Sequence, residues 1–444
     1  MGRNVILCAV STIQPQAVVK TYQYRDEEGR AVQCSGLQTN EAPVKCLMEC
    51  YRPVDVVLCL TSEEARQPCP QGPCAGKSAY AYFVDAVRAF CTDGRKKPLS
   101  VPEFVPIDYR TDNASRSVGA LLEQLREGDE VYMDVTGGGR DAMFLMMMAM
   151  QMLYYKQIRL AKAVYSDYRT GTVRRWQVET DLFALLKAVE DFTSYGKADK
   201  LCRYFGLSGG AGSRNVRLSK AVKKLCTKAE EFSNCLALCR TDGLEETVQD
   251  IQKTMRNARS EPQQQPDLQL FLALIPRMQA DFVPESDNPG ERLLNLIEWC
   301  VNHELWLQAL ALYRENVPQW MFELGIPRAD ETLCGYMRDK LGVKEAPESR
   351  EWCGCVVYNL SKKQFDSRRF PQAVGVRPDV LEELLADWDA LRILRNAAIH
   401  NADPDDEKRA GYRALTDALK EGGPAFVTER LMTAVRHLRA AAPR

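Results

Sequence analysis

Asp134-Val135-Thr136-Gly137-Gly138-Gly139-Arg140-Asp141 closes a short β-branched run, Glu130–Val135, and opens a methionine-rich stretch, Arg140–Lys156. Three consecutive glycines remove Cβ atoms where the phosphate or sugar of a ligand could approach the backbone. The free N–H groups at a helix start, and the positive end of its dipole, favour an anion there. Thr136 adds a hydroxyl and Arg140 a charge. The same residues also suit a tight strand-to-helix turn that holds no ligand. A dinucleotide fingerprint is excluded, because after Gly137 and Gly139 position 142 is Ala142. Gly76-Lys77-Ser78 fails as a P-loop, since the leading glycine, Gly72, stands one residue too close and no strand directly precedes it. Six methionines between Met143 and Met152 cover every face of the helix that follows the turn, which predicts burial all round, beneath the sheet or at a subunit interface.

Outward from this turn, residues 1–180 alternate strand and helix. Val5–Val10, Val54–Leu60, Phe104–Ile107 and Val131–Val135 read as buried strands, and Ser78–Cys91, Ser115–Arg126 and Arg140–Lys156 as helices. Such alternation predicts a largely parallel, doubly wound α/β sheet. Thr21–Arg25 with Arg30–Cys34, and Arg159–Tyr165 with Val173–Val178, flank turn residues and predict antiparallel hairpins added at the sheet edge. Beyond residue 180 strand signals nearly vanish. Asp181–Tyr195, Arg217–Ala237, Leu244–Ala258, Leu268–Ala280, Glu291–Tyr313, Val380–Ala398 and Asp405–Leu419 carry helical spacing, with proline-bearing loops at Ser260–Asp267 and Val283–Gly290. The layout is an α/β domain over 1–180, a helical connector over 181–290 and an all-α domain over 291–444, in keeping with a length of 444 residues.

Composition excludes several classes. With 59 Lys plus Arg against 60 Asp plus Glu there is no global field for nucleic acid, so RNA binding would need a local cleft, and no DNA is expected. The longest apolar run, Ala142–Tyr155 broken by Gln151, falls short of the roughly 20 residues of a membrane helix. Sixteen cysteines behind an amino terminus without a secretory leader point to a reducing, cytoplasmic setting. Their close pairs, Cys46/Cys50, Cys69/Cys74, Cys235/Cys239 and Cys353/Cys355, do not form paired zinc knuckles, and the expectation is no metal and no resident cofactor.

Near the carboxyl end, Arg395-Asn396-Ala397-Ala398-Ile399-His400 leads to Asp403-Pro404, which stops one helix and starts the next. His400 then falls in a last turn, where the dipole favours imidazolium. Arg395 stands five residues earlier, about 140° around the helix, so one helix alone splays the two side chains. Two copies about a two-fold axis can supply the base, the acid and the cation that metal-free RNA cleavage requires. The bare spacing equally suits a solvated arginine and a helix-ending histidine. His303 and His437 lack such company and read as ordinary residues.

In this order, the two segments resemble the CARF–HEPN ribonucleases of type III CRISPR systems. Ala9-Val10-Ser11-Thr12, the Asp134–Arg140 turn and the closing hairpin resemble a Rossmann-like CARF sensor, and Arg395-Asn396-x3-His400 resembles the HEPN motif. The resemblance implies that a cyclic oligoadenylate binds across a homodimer, lined by Ser11, Thr12, Thr136, Gly137, Gly138, Gly139 and Arg140. It also implies that Arg395, Asn396 and His400 of both copies cleave single-stranded RNA without metal, leaving a 2′,3′-cyclic phosphate. Three other readings stay open: a non-catalytic nucleotide-sensing adaptor, a sensor domain that itself cleaves the ring, and a transcription regulator, the last disfavoured because no basic helix-turn-helix stands out.

Overall fold

The computed structural model describes residues 2–94, 97–109, 114–156, 158–176, 178–207, 218–260, 266–326, 328–362, 378–399 and 411–442. Two compact units divide the chain, Met1–Leu182 and Phe183–Arg444.

The first unit holds one eight-stranded sheet. In chain order its strands are β1 (Asn4–Ala9), β2 (Lys20–Arg25), β3 (Ala31–Gly36), β4 (Val56–Thr61), β5 (Glu103–Asp108), β6 (Glu130–Asp134), β7 (Arg159–Asp167) and β8 (Thr172–Arg175), and its spatial order is β3-β2-β8-β7-β6-β1-β4-β5. β5, β4, β1, β6 and β7 run parallel, while β7–β8 and β2–β3 are antiparallel pairs. Both hairpins extend the same edge. Helices α1 (Glu41–Cys50), α2 (Glu63–Arg66), α3 (Ala79–Thr92), α4 (Ala114–Glu123) and α5 (Arg140–Tyr155) complete the unit. Alternate residues of the strands feed two cores: Leu7, Leu58 and Met133 pack with Leu121 and Met146, and Ile6, Val57 and Tyr132 with Leu47 and Phe83. Both faces are therefore covered, which is why β1 and β4 read as unbroken apolar runs.

Three expectations change here. α1, which the sequence pattern did not reveal, is buried from Glu41 to Met48. Val178 belongs to the next helix rather than to β8. The methionine helix is not buried all round: Phe144, Met148 and Met152 are 67%, 45% and 41% exposed, four residues apart on one face. Ala142, Leu145, Met146, Ala149, Met150 and Leu153 are buried in the core and Met143 and Met147 pack against it half-buried, because α5 lays one side on the sheet.

The division between the units falls inside α6 (Val178–Tyr195). The helical unit continues through α7 (Asp199–Tyr204), α8 (Lys220–Ala237), α9 (Leu244–Arg259), α10 (Pro266–Asp281), α11 (Pro289–Asn302), α12 (Trp306–Glu323), α13 (Glu331–Asp339), α14 (Arg350–Ser361), α15 (Pro378–Ile399) and α16 (Tyr412–Ala441). The stretch expected as one helix, Glu291–Tyr313, is two, broken where Glu304 takes a left-handed φ of 60°. Residues 405–410 of the helix expected from Asp405 lie outside the described residues. From Tyr412 the chain is helical well beyond Leu419, with a kink at Gly423 (φ 52°) before Pro424. Residues 183–444 make up one compact unit. Leu185, Phe232, Phe271, Trp299, Trp352, Leu394 and Leu438 belong to one hydrophobic cluster.

Candidate functional sites

β4 and β5 are laid down on one side of β1, and the chain then crosses back to place β6 and β7 on the other. In such sheets the crevice that takes a ligand lies at this reversal, beyond the carboxyl ends here of β1 and β6. Ser11 leaves β1 there, and the glycine turn leaves β6. They touch: Gly138 donates its backbone N–H to Ser11 Oγ at 3.1 Å. Gly139 N–H donates to Tyr109 OH, just past β5, at 3.1 Å. Two N–H groups expected to be free at the helix start are thus held by hydroxyls, which can turn away when a better acceptor arrives.

The glycines are required by the protein's own packing. A Cβ on Gly137 would lie 2.2 Å from the Ala9 carbonyl oxygen, and one on Gly138 2.6 Å from Ala9 Cβ, with φ already at +84°. The turn is pressed against the end of β1, so the absent side chains serve contact between two strands' exits as well as any ligand. Below the turn, Thr136 donates both N–H and hydroxyl to Asp134 Oδ1, and Thr136 Oγ1 accepts from Ser166 N–H at 2.8 Å. Asp134 is fully buried, and burial pushes its carboxyl up to about 7 against those two hydrogen bonds.

Across the crevice, Asn40 begins α1 without capping it, because Asn40 Oδ1 accepts from Ser11 N–H at 3.2 Å instead. Gln38 Nε2 donates to the Ser11 carbonyl at 2.7 Å, and Ser11 Oγ meets Thr39 Oγ1 at 2.9 Å. Buried polar atoms without a hydrogen-bond partner occur in the described part of the sheet unit only as Gln38 Oε1, Asn40 Nδ2 and Asp134 Oδ2. All three sit on residues of this network or of the strand end beneath it. Buried polar groups are nearly always paired, so three orphaned atoms in one network set this strand end apart from the rest of the described sheet unit.

Of the residues singled out in the sequence, Ser11, Thr136, Gly137, Gly138 and Gly139 are therefore brought together. Thr12 and Arg140 lie exposed beside them. Gln38, Thr39, Asn40, Tyr109 and Ser166 were not anticipated. Nothing local marks them, because they arrive from the loop after β3, the end of β5 and β7.

In the helical unit, Arg395 and Asn396 are half-buried near the end of α15, with Arg395 Nη1 3.4 Å from Asn396 Oδ1. Arg395 Nε is buried and has no hydrogen-bond partner among the described residues. His400 lies outside the described residues, as do Asp403 and Pro404. Two further arginines, missed in the sequence, stand near Arg395. Arg314 of α12 has its pKa lowered by burial, with the charges of Arg395 and Arg392 pushing the same way and Glu315 opposing. Arg392 is held by Asp389 and lies 5.3 Å from the centre of the Tyr358 ring, over which Lys362 also sits at 3.9 Å. Cations and an aromatic face on α12, α14 and α15 form a local basic cluster in a chain whose net charge is −1.

His303 ends α11, stacked on Trp299 at 4.3 Å with Nδ1 2.7 Å from that residue's carbonyl. His437 has more company than its surroundings in the sequence suggest. Its Nδ1 lies 2.6 Å from Asp387 Oδ2 and its Nε2 3.4 Å from Glu383, both on α15. Ser78 of the discarded P-loop caps α3, accepting from Ala81 N–H, and Lys77 pairs with Asp85. All sixteen cysteines are unbridged. Among the described residues no group of His, Cys, Asp and Glu could hold a metal ion, and no helix is long and apolar enough to cross a membrane.

No family model matches the chain, and no curated protein matches it.

Proposed function

We propose that the chain is a cyclic-oligoadenylate-activated, metal-independent endoribonuclease of the CARF–HEPN type, acting in type III CRISPR defence as a homodimer. The observation that carries this reading is the crevice between β1 and β6. There hydroxyl-held N–H groups of Gly138 and Gly139 lie with orphaned atoms of Gln38, Asn40 and Asp134. A phosphodiester oxygen offers the turn a stronger acceptor than Ser11 Oγ or Tyr109 OH, and the helix dipole of α5 favours its charge. Thr12 and Arg140 stand at the rim for the sugar-phosphate path. Two copies of this crevice would meet a two-fold ring ligand with the same residues.

Cleavage is assigned to Arg395, Asn396 and His400. His400 assists the 2′-hydroxyl in attacking the adjacent phosphorus, the P–O5′ bond breaks, and the 5′-oxygen leaves with a proton supplied by the partner copy's imidazole. Arg395 meets the charge that develops on the phosphate oxygens, and Asn396 holds the guanidinium by the contact at 3.4 Å. The basic and aromatic surroundings of α12, α14 and α15 support passage of a single strand. Activation requires the ring to bind the cleaving arrangement better than the resting one.

A fluorescent single-stranded RNA, incubated in chelator with cyclic tri-, tetra- and hexa-adenylate in turn, tests the reading. One ring size should switch on cleavage that Arg395→Ala and His400→Ala abolish. Cleavage that ignores every ring, or survives both substitutions, ends it. Ring binding with no cleavage leaves the adaptor reading, and linear oligoadenylate among the products leaves the ring-cleaving sensor.

A further inference from the structure

Between α2 and α3 the chain reads Gln67-Pro68-Cys69-Pro70-Gln71-Gly72-Pro73-Cys74-Ala75-Gly76-Lys77. Its backbone is tied into a closed loop. Cys69 N–H donates to the Lys77 carbonyl at 2.9 Å, Gly76 N–H to the Cys69 carbonyl at 3.0 Å and Lys77 N–H to the Cys74 carbonyl at 3.0 Å. Pro68, Pro70 and Pro73 fix φ at three positions. Gly72, at the tip, has a φ of 91°, and a Cβ there would lie 2.7 Å from Pro15 Cα. The loop therefore presses on the segment that follows Ser11 and Thr12. Within it the Cys69 and Cys74 thiols lie in hydrogen-bonding distance of each other. Cys74 is 4% exposed, in a small apolar cluster with Ile13, Ala65 and Ala79, and Cys69 packs on that cluster half-buried.

Thiols meet elsewhere in the chain: Cys8 with Cys59, Cys34 with Cys46, and Cys202 with Cys226. Those six are at most 4% exposed and act as small apolar groups that an oxidant in water does not reach. The pair in the loop differs. One sulfur is open to solvent and a second stands ready to resolve it, the arrangement of a redox thiol. We propose that Cys69 and Cys74 form a reversible dithiol–disulfide site that small hydroperoxides oxidise. The Cys69 sulfur attacks one oxygen of hydrogen peroxide: an S–O bond forms, the O–O bond breaks, and water leaves with the thiol proton. The Cys74 sulfur then attacks the sulfenic sulfur: the S–S bond forms, the S–O bond breaks, and the hydroxyl leaves as water with the Cys74 proton. The pair gives up two electrons, and one peroxide becomes two waters. A small dithiol restores both cysteines by exchange through a mixed disulfide. Because the second thiol is already in place, ring closure is intramolecular and outruns further oxidation of Cys69. The residues between the two cysteines lie in no helix or strand, so closure breaks no ladder.

The test takes the full chain, reduced and then freed of reductant, through hydrogen peroxide, alkylation with N-ethylmaleimide and digestion with trypsin. Cleavage after Arg66 and Lys77 isolates residues 67–77, which carry Cys69 and Cys74 and no other cysteine. Mass spectrometry should find this peptide unalkylated and lighter by a pair of hydrogens. It should form about tenfold faster than half-buried Cys334 is oxidised. Dithiothreitol added before alkylation should restore both maleimide adducts. In Cys74→Ser, Cys69 should accumulate as the sulfenic acid, trapped by dimedone; in Cys69→Ser, Cys74 should stay reduced. Both thiols still alkylated once Cys334 is oxidised overturns the proposal. So does sulfinic acid at Cys69 without the disulfide, or a disulfide from Cys69 to another peptide. Where a serine variant fails to fold, the wild-type chain decides. None of these results touches the ribonuclease reading, which rests on other residues.

Discussion

The exits of β1 and β6 and the end of α15 handle their polar groups in opposite ways. At the first, Ser11 Oγ and Tyr109 OH already occupy the N–H groups of Gly138 and Gly139, and three strands and a loop hold the turn from several directions. At the second, Arg395 has, among the described residues, one contact of 3.4 Å with its neighbour in sequence and an Nε without a hydrogen-bond partner. A ligand at the glycine turn must displace hydroxyls and gains only the difference between two acceptors. A phosphate at Arg395 gains the full charge-assisted bond. Under the proposed function, the first site selects by exchange of acceptors and the second offers a cation to a substrate. A substitution should therefore act on structure at the turn and on rate at α15.

The largest effect expected is on rate. Arg395→Ala should lower RNA cleavage by about 10²–10³-fold, the cost of removing one stabiliser of developing charge, with no loss of melting temperature. A melting temperature that falls with the activity would make Arg395 a structural residue and erase the contrast. Next, Gly137→Ala should destabilise the sheet unit by about 3 kcal/mol or more in urea unfolding, because its Cβ meets the Ala9 carbonyl at 2.2 Å. Near-native stability would mean that the turn is loosely held. Tyr109→Phe, which strips one hydroxyl from the turn, should cost about 1 kcal/mol of stability and tighten ligand binding, since the Gly139 N–H no longer has to be freed. Weaker binding after this change would show that the hydroxyl touches ligand.

The finest test concerns Asp134. Its carboxyl in the folded chain lies near 7, above the roughly 3.9 of an unfolded aspartate. Between these values the folded state holds the proton that the unfolded state has released. Its stabilising effect is complete below the unfolded value and is lost as pH rises through about 7. Wild-type stability should thus decline from pH 5 to pH 8, and Asp134→Asn should flatten that slope. Parallel slopes in the two proteins would show that Asp134 stays ionised throughout.

How much of this was legible in the sequence depends on where the information sits. The glycine turn and the strands beside it were plain, because β-branched runs buried on both faces and a Gly-Gly-Gly step are local signals. α1 was hidden by its chemistry: Glu41 and Lys45 are buried, which no periodicity announces, and they are tolerable only because Lys45 Nζ pairs with Glu41 Oε1 at 2.5 Å. The break between α11 and α12 turns on Glu304 in a left-handed conformation, which a residue other than Gly or Asn gives no reason to expect. Arg395 and Asn396 were found by spacing, but Arg314 comes from a helix some eighty positions earlier and only folding brings it near. The partners of Ser11 were illegible for the same reason, since hydrogen bonds between distant loops leave no pattern in the chain.

The one cluster that runs from Leu185 to Leu438 has a mechanical consequence for the helical unit. Its apolar residues come from early and late helices alike, so cutting the chain in the loop before Pro289 would bare apolar surface on both pieces.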